Sequence, residues 1–216
     1  MINTLPAVTA LRRARPDAHL TWIVEAASAG VLDGHPLLDE VLVSRRKTWA
    51  EAFKRLRSGW RAAGEFFRFC ALLRKKRFDA VIDFQGNLRS AVGTWLTRAP
   101  LRIGPARGSS KELSHLFYNV RIPLPDGPMH RVERGLRLVE ALGIATLDAA
   151  PVIPVTDADR AKVDAFLTAS ALAPGGFAIV HAGTSPFGRY KQWPTERWVE
   201  VARRLAAELG LRIVFS

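Results

Sequence analysis

Lys191 stands ten positions after His181, with Thr184 and Ser185 between them and Pro194 just beyond. The apolar run Phe177-Ala178-Ile179-Val180-His181 reads as a strand, and Pro194 as the opening of a helix. An ammonium group beside two hydroxyls and a helix N-terminus would form an anion site suited to a diphosphate. The plainer alternative is a solvated loop lysine. A second segment, Asp83-Phe84-Gln85-Gly86-Asn87, ends one apolar run and opens a helical one, which is where α/β sheets present residues to ligands. Gly86 permits the tight turn and Asn87 is an N-cap by type. Asp83 suits either acid–base work or backbone pairing within the turn, and Gln85 is the better ligand contact. Cationic loops follow two further runs: Arg45, Arg46 and Lys47 after Val41-Leu42-Val43, and Arg107 and Lys111 in the polar loop Gly104 to Lys111, before the next helix. The five histidines show no metal-ligand spacing, and the single cysteine, Cys70, reads as a small buried hydrophobe.

The elements that would position these groups alternate. Short runs rich in β-branched residues (Leu20 to Val24, Val41 to Val43, Ala80 to Phe84, Phe177 to His181, Leu211 to Phe215) are interleaved with helical stretches at 47–76, 87–97, 129–142, 157–170 and 195–209. That alternation predicts an α/β protein with parallel strands. Gly210 is placed to cap the last helix. Pro151 and Pro154 mark 145–155 as an interdomain crossing, giving domains 1–155 and 156–216. Leu5 to Ala14 is an amphipathic helix where a doubly wound sheet would open with a strand, so the first domain reads as lacking its first strand. The second, with two strands, reads as truncated, with apolar faces left uncovered.

Charge narrows the partners. The chain carries 32 Lys and Arg against 20 Asp and Glu, a formal net charge of +12. Between Arg45 and Arg77, twelve basic residues face only Glu51 and Glu65, a local net of +10. Such an excess favours an anionic partner: nucleic acid, an acidic membrane surface or a phosphorylated substrate. Trp49, Phe53, Trp60, Phe66, Phe67 and Phe69 are interleaved with those cations. The pattern fits a helix that sinks aromatics among lipid headgroups, and equally a core helix with one solvated basic face. No run approaches the roughly 20 apolar residues of a membrane span, and the first residues lack a signal-peptide layout. A cytoplasmic protein is expected.

Five stretches, in order, resemble the lipopolysaccharide heptosyltransferases: Ile2-Asn3-Thr4-Leu5-Pro6-Ala7-Val8, Trp22-Ile23-Val24-Glu25, Phe78 to Ala91, Leu116-Phe117-Tyr118-Asn119, and His181-Ala182-Gly183-Thr184-Ser185 with Lys191-Gln192-Trp193-Pro194. The resemblance implies a GT-B glycosyltransferase of two Rossmann-like domains, the first holding a phosphorylated glycolipid acceptor and the second an ADP-heptose-like nucleotide sugar. It implies inverting transfer, with no cofactor, metal or covalent intermediate called for. By it, Lys191 neutralises the leaving diphosphate while Thr184 and Ser185 hold its oxygens. Asn3, Thr4, Arg45, Arg46, Gln85, Asn87, Arg107 and Lys111 serve the acceptor.

In the family the base is an aspartate in a Gly-Asp-Val turn just ahead of the segment matching Ile2 to Pro6. Met1 stands at the valine, so the base is expected one residue before the chain, and adenosine contacts beyond Ser216. Either the natural start lies upstream or the chain is a degenerate remnant, and in both cases the 216 residues alone are expected to transfer little or no sugar. Work at the cytoplasmic face of the inner membrane follows from the acceptor. The competing expectations are a noncatalytic remnant that binds anionic glycolipid and a basic nucleic-acid-binding protein, the latter supported only by 45–77 and by no recognised motif.

Overall fold

A computed structural model describes residues 1–53, 59–125, 127, 129–146, 149–184 and 186–216. The chain divides into two compact units, Met1–Pro154 and Val155–Ser216.

The first unit opens with a 3-10 turn, Ile2–Thr4, and helix α1, Leu5–Ala14. Pro6 lies in the first turn of α1, where no intrahelical N–H is required. Two of its faces are buried. Leu5 packs with Val24 and Leu32, while Ala7 and Ala10 pack with Val139 and Ile144 against Ile82 and Phe84. The first cluster lies on a parallel pair, β1 (Thr21–Glu25) and β2 (Glu40–Ser44). The second lies on a parallel three-stranded sheet of β3 (Ala80–Ile82), β4 (Leu101–Pro105) and β5 (Val120–Ile122), in that order. Ile103 pairs with Ile82 on one side and Val120 on the other, and is 1% exposed. Helix α1 therefore serves both sheets.

Parallel strands need crossovers. Between β2 and β3 the sequence suggests one helix over 47–76, but two are present: α2, Arg46–Phe53, and α3, Gly59–Lys75. They pack against each other. Trp49 is buried with its ring 5.8 Å from Phe66 and 5.4 Å from Phe69, and its Nε1 donates to Glu65 at 3.0 Å. In one straight helix Trp49 and Phe66 would stand about 25 Å apart. Folding back removes the indole from water, which a continuous helix could not do. Cys70 is buried on the same hairpin. Helix α4, Leu88–Leu96, joins β3 to β4, and α5, Arg131–Glu140, packs its Leu138 and Val139 inward.

Strands β4 and β5 carry weak local signals. Pro100, Gly104 and Pro105 punctuate the first, so that its end reads as loop, and the second is three residues long. The loop expected over 104–111 thus begins inside a strand, at Gly104 and Pro105. The 145–155 stretch does not run free either: Thr9 Oγ1 donates to Ala150 O at 2.8 Å, and His35 Nε2 lies 3.0 Å from Val152 O.

The second unit begins with α6, Asp157–Ala169, whose start is closed by a capping box: Thr156 Oγ1 accepts from Asp159 N–H, and Asp159 accepts from Thr156 N–H. Strands β6 (Phe177–Val180) and β7 (Arg212–Phe215) pair in parallel around α7, Thr195–Leu209. Gly210 ends α7 in the left-handed conformation, φ 64°. Ile179 and Phe215 are exposed on this two-stranded sheet.

Candidate functional site

Strand β3 ends in a turn that one carboxylate organises. Asp83 Oδ1 accepts the backbone N–H groups of Gln85 (2.9 Å) and Gly86 (3.2 Å), and its Oδ2 accepts the Tyr118 hydroxyl at 2.6 Å. Asp83 is 5% exposed, so its role is to pair within the turn. Gly86 has φ +64°, and a Cβ there would stand 2.8 Å from Pro105 Cγ, so no other residue fits without displacement. Asn87 caps α4: its Oδ1 accepts from Ser90 N–H at 3.0 Å, and its Nδ2 donates to Gln85 Oε1 at 3.3 Å. Gln85 and Asn87 thus stand side by side at the C-terminal end of β3.

The loop after β4 is stitched onto this turn. Lys111 N–H donates to Gly86 O at 2.9 Å, Ser114 Oγ donates to the same carbonyl at 2.8 Å, and Leu88 N–H donates to Glu112 at 3.3 Å. Arg134, from α5, donates to Ser109 O at 2.5 Å. Lys111 and Arg107 both have exposed side chains on this loop. The 3-10 turn bearing Asn3 and Thr4 reaches the neighbourhood from the other side. A Cβ built on Gly135 of α5 would meet Phe84, Ala7 and the Asn3 carbonyl oxygen, all within 4 Å. Asn3 is exposed and Thr4 partly so. The backbone of Lys111 is thus tied to the Gln85–Asn87 turn, the Asn3 carbonyl borders α5, and Thr4 and Arg107 stand on the same two segments.

Arg45 and Arg46 follow the C-terminal end of β2, on the two-stranded sheet. Arg45 is exposed, whereas Arg46 opens α2 and pairs with Glu25 at the end of β1, which partly neutralises it. The Lys47 side chain lies outside the described residues.

Sequence reasoning missed Tyr118 and Ser114. Tyr118 is 1% exposed, and its ring fills the space beside Gly104, where a Cβ would come within 2.4 Å of it. Burial, followed by the Asp83 charge, pushes its phenol well above the usual value of 10.0. The Leu116-Phe117-Tyr118-Asn119 stretch marked the region, but nothing local pointed to a partner 35 positions away.

In the second unit, Lys191 ends a 3-10 stretch, Pro186–Lys191, rather than standing in open loop, and its ammonium lies 5.3 Å from the Tyr190 ring centroid. Lys191 and Thr184 are exposed, and both lie between the C-terminal end of β6 and α7. Pro194 occupies the N-cap of α7 with no side-chain cap bond; its carbonyl accepts from Arg197 and Trp198 N–H, and no cap side chain answers the N–H groups of Thr195 and Glu196. Ser185 lies outside the described residues.

A profile of glycosyltransferase family 9 (heptosyltransferase) matches residues 66–216. The chain belongs to this family. Lipopolysaccharide heptosyltransferase 1 of Escherichia coli RS218 is 31% identical over 99% of this family 9 chain, and that of Pseudomonas aeruginosa is 32% identical over 95%. The chain spans 61% and 54% of those relatives' lengths. Among solved structures, E. coli heptosyltransferase WaaC with ADP-2-deoxy-2-fluoro heptose matches 99% of the chain and 64% of its own, with a TM-score of 0.72 and 28% identity. A family 9 glycosyltransferase from Veillonella parvula, 23% identical, matches with a TM-score of 0.74 over 99% of this chain and 57% of its own, and shows the fold alone. The architecture of the family 9 chain is the GT-B one, with Rossmann-like α/β units. The profile match covers the Asp83–Asn87 turn, Arg107, Lys111, Thr184 and Lys191, while Asn3, Thr4, Arg45 and Arg46 precede it.

Proposed function

We propose that this family 9 protein is a heptosyltransferase that moves a heptose or related sugar from an ADP-sugar to a phosphorylated glycolipid, lipid A or the lipopolysaccharide inner core, at the cytoplasmic face of the inner membrane. The observation that carries this proposal is the match, over nearly the whole chain, to WaaC, whose structure holds ADP-2-deoxy-2-fluoro heptose. Unit Met1–Pro154 takes the acceptor: Gln85 and Asn87 meet its sugar, and Arg107 and Lys111 meet its phosphates by charge-assisted hydrogen bonds. Unit Val155–Ser216 contributes to the donor site, where Lys191, Thr184 and Ser185 hold the diphosphate.

In the transfer the acceptor hydroxyl oxygen bonds to the anomeric carbon as the bond from that carbon to the diphosphate breaks. The proton passes to a carboxylate base, and the departing electron pair stays on ADP, countered by Lys191 and the open end of α7. Asp83 is not that base, since both of its oxygens are committed to the turn. In the family that the chain resembles, the base is an aspartate in the Gly-Asp-Val turn ahead of the segment that Ile2 to Pro6 matches.

Titration of the chain with lipid A and with its dephosphorylated form tests the acceptor half. Phosphate-dependent binding that weakens by at least about tenfold in R107A/K111A is expected, even one charge-assisted contact being worth about 1.5–3 kcal/mol. Equal binding of the two lipids would contradict it. For the donor half, K191A is expected to weaken ADP-sugar binding by a similar factor, and unchanged binding would remove Lys191 from the site.

A further inference from the structure

On α3, Trp60, Gly64, Phe67 and Ala71 are spaced four, three and four apart, the repeat that lines up one helix face. This face points away from the buried side, where Ala62, Cys70 and Leu73 pack. Trp60 is 87% exposed and Phe67 68% exposed, an unusual state for two large aromatics on one stripe. Arg61, Arg68, Arg74 and Lys75, all exposed, flank it, and the one acidic residue of α3, Glu65, stands at its margin. The Glu65 carboxylate is engaged by the Trp49 indole.

The stripe leads to a second feature. Arg74, Arg98 and Arg102, with Trp95 and Leu96, line a cleft of about 240 Å³ whose lining holds no carboxylate among the described residues. The Arg102 guanidinium is held in place by bonds to Phe117 O (3.1 Å) and Ala99 O (2.7 Å), while Trp95 is half exposed. Three guanidinium groups lining one cleft, with no counter-charge among the described residues there, are matched by an anion such as a phosphodiester.

Lys76, just past the end of α3, bonds Glu40 at the start of β2 at 2.6 Å. The arginine cleft thus lies at the N-terminal ends of the strands. Trp60, about 21 Å back along the helix, lies toward the other end, the one that carries Gln85 and Lys111.

We infer that α3 is a docking surface for an anionic bilayer: Trp60 and Phe67 enter the headgroup layer, the flanking cations meet its charge, and the Arg74–Arg98–Arg102 cleft takes a lipid phosphate. The occupant follows from charge complementarity and from the pairing of exposed aromatics with arginines, which suits the polar–apolar boundary of a bilayer. The inference rests on the membrane-embedded acceptor proposed above, yet its test requires no acceptor.

Cosedimentation of the 216-residue chain is measured with phosphatidylcholine vesicles, plain or carrying about three phosphatidylglycerol in ten lipids. Binding to the anionic vesicles only is expected. W60S/F67S should lower the partition by about tenfold, W60F/F67W should keep it, and R74Q/R98Q should reduce it toward the level of plain vesicles. R107A/K111A, which removes the proposed acceptor phosphate contacts, should bind vesicles like the parent while losing lipid A, so that failure of the acceptor site and of the docking surface are told apart. Unchanged partition in W60S/F67S would overturn the inference. So would displacement from vesicles by soluble glycerol phosphate, which marks a small-anion site, and so would a dimer that W60S/F67S dissolves, which marks self-association. Equal affinity of the stripe for DNA would overturn it in favour of nucleic acid.

Discussion

Asp83 ends a strand, faces a ligand edge and carries a carboxylate, which from sequence suits it equally to acid–base work and to turn building. Three donors settle the matter by occupying both of its oxygens. Their removal should be felt as stability. Tyr118→Phe leaves Asp83 Oδ2 buried without its hydroxyl partner, and chemical denaturation should show a loss of about 1–3 kcal/mol. Gly104→Ala should cost about 3 kcal/mol in the same assay, since the added methyl overlaps the buried Tyr118 ring. The Tyr118 phenol titrates higher in the folded state than in the unfolded chain, so the folded state holds that proton more tightly. Its contribution is complete below about pH 10 and declines as pH rises beyond that value. Thermal melts of the wild type should therefore fall more steeply above pH 10 than those of Tyr118→Phe, and parallel slopes would show that the phenol is not so held. The Asp83–Asn87 turn was legible because its residues are consecutive. Tyr118 was not, because its approach depends on β4 and β5 pairing first.

Element by element, legibility tracks locality. Helix α1 stands over Leu5–Ala14 as its amphipathic pattern and Pro6 imply, and Gly210 and Asn87 cap as their types imply. Asn87→Ala should cost about 1 kcal/mol through the lost cap, and Asn87→Asp should restore most of it. Strands β4 and β5 escaped because Pro100, Gly104 and Pro105 read as turns, and only the burial of Ile103 between two neighbours makes a strand the better choice. The aromatic and basic segment 45–77 left a core helix and an interfacial helix equally open. Its two helices divide the roles: Trp49 turns inward, while Trp60 and Phe67 remain outward.

At the scale of the whole molecule, family membership was readable from five dispersed stretches: four hold a strand end or a helix start of the same architecture, and Leu116–Asn119 leads into β5. The grouping of Asn3, Gln85, Asn87 and Lys111 was less so, because it rests on backbone bonds between loops more than twenty residues apart, such as Lys111 N–H to Gly86 O. Arg46 shows the limit of charge reading, its cation being shared with Glu25. With a formal net charge of +12, binding of any polyanion will weaken with salt, so salt dependence alone cannot separate a glycolipid acceptor from other anions. Phosphate dependence at named residues can. The deciding measurement is the affinity of the 216-residue chain and of R107A/K111A for lipid A and for dephosphorylated lipid A at one ionic strength. Tighter binding of the phosphorylated lipid, weakened by at least about tenfold in the variant, is the expected result. Indifference to the phosphates, or a variant that binds as the parent does, would contradict the assignment of this unit as the acceptor half of a heptosyltransferase.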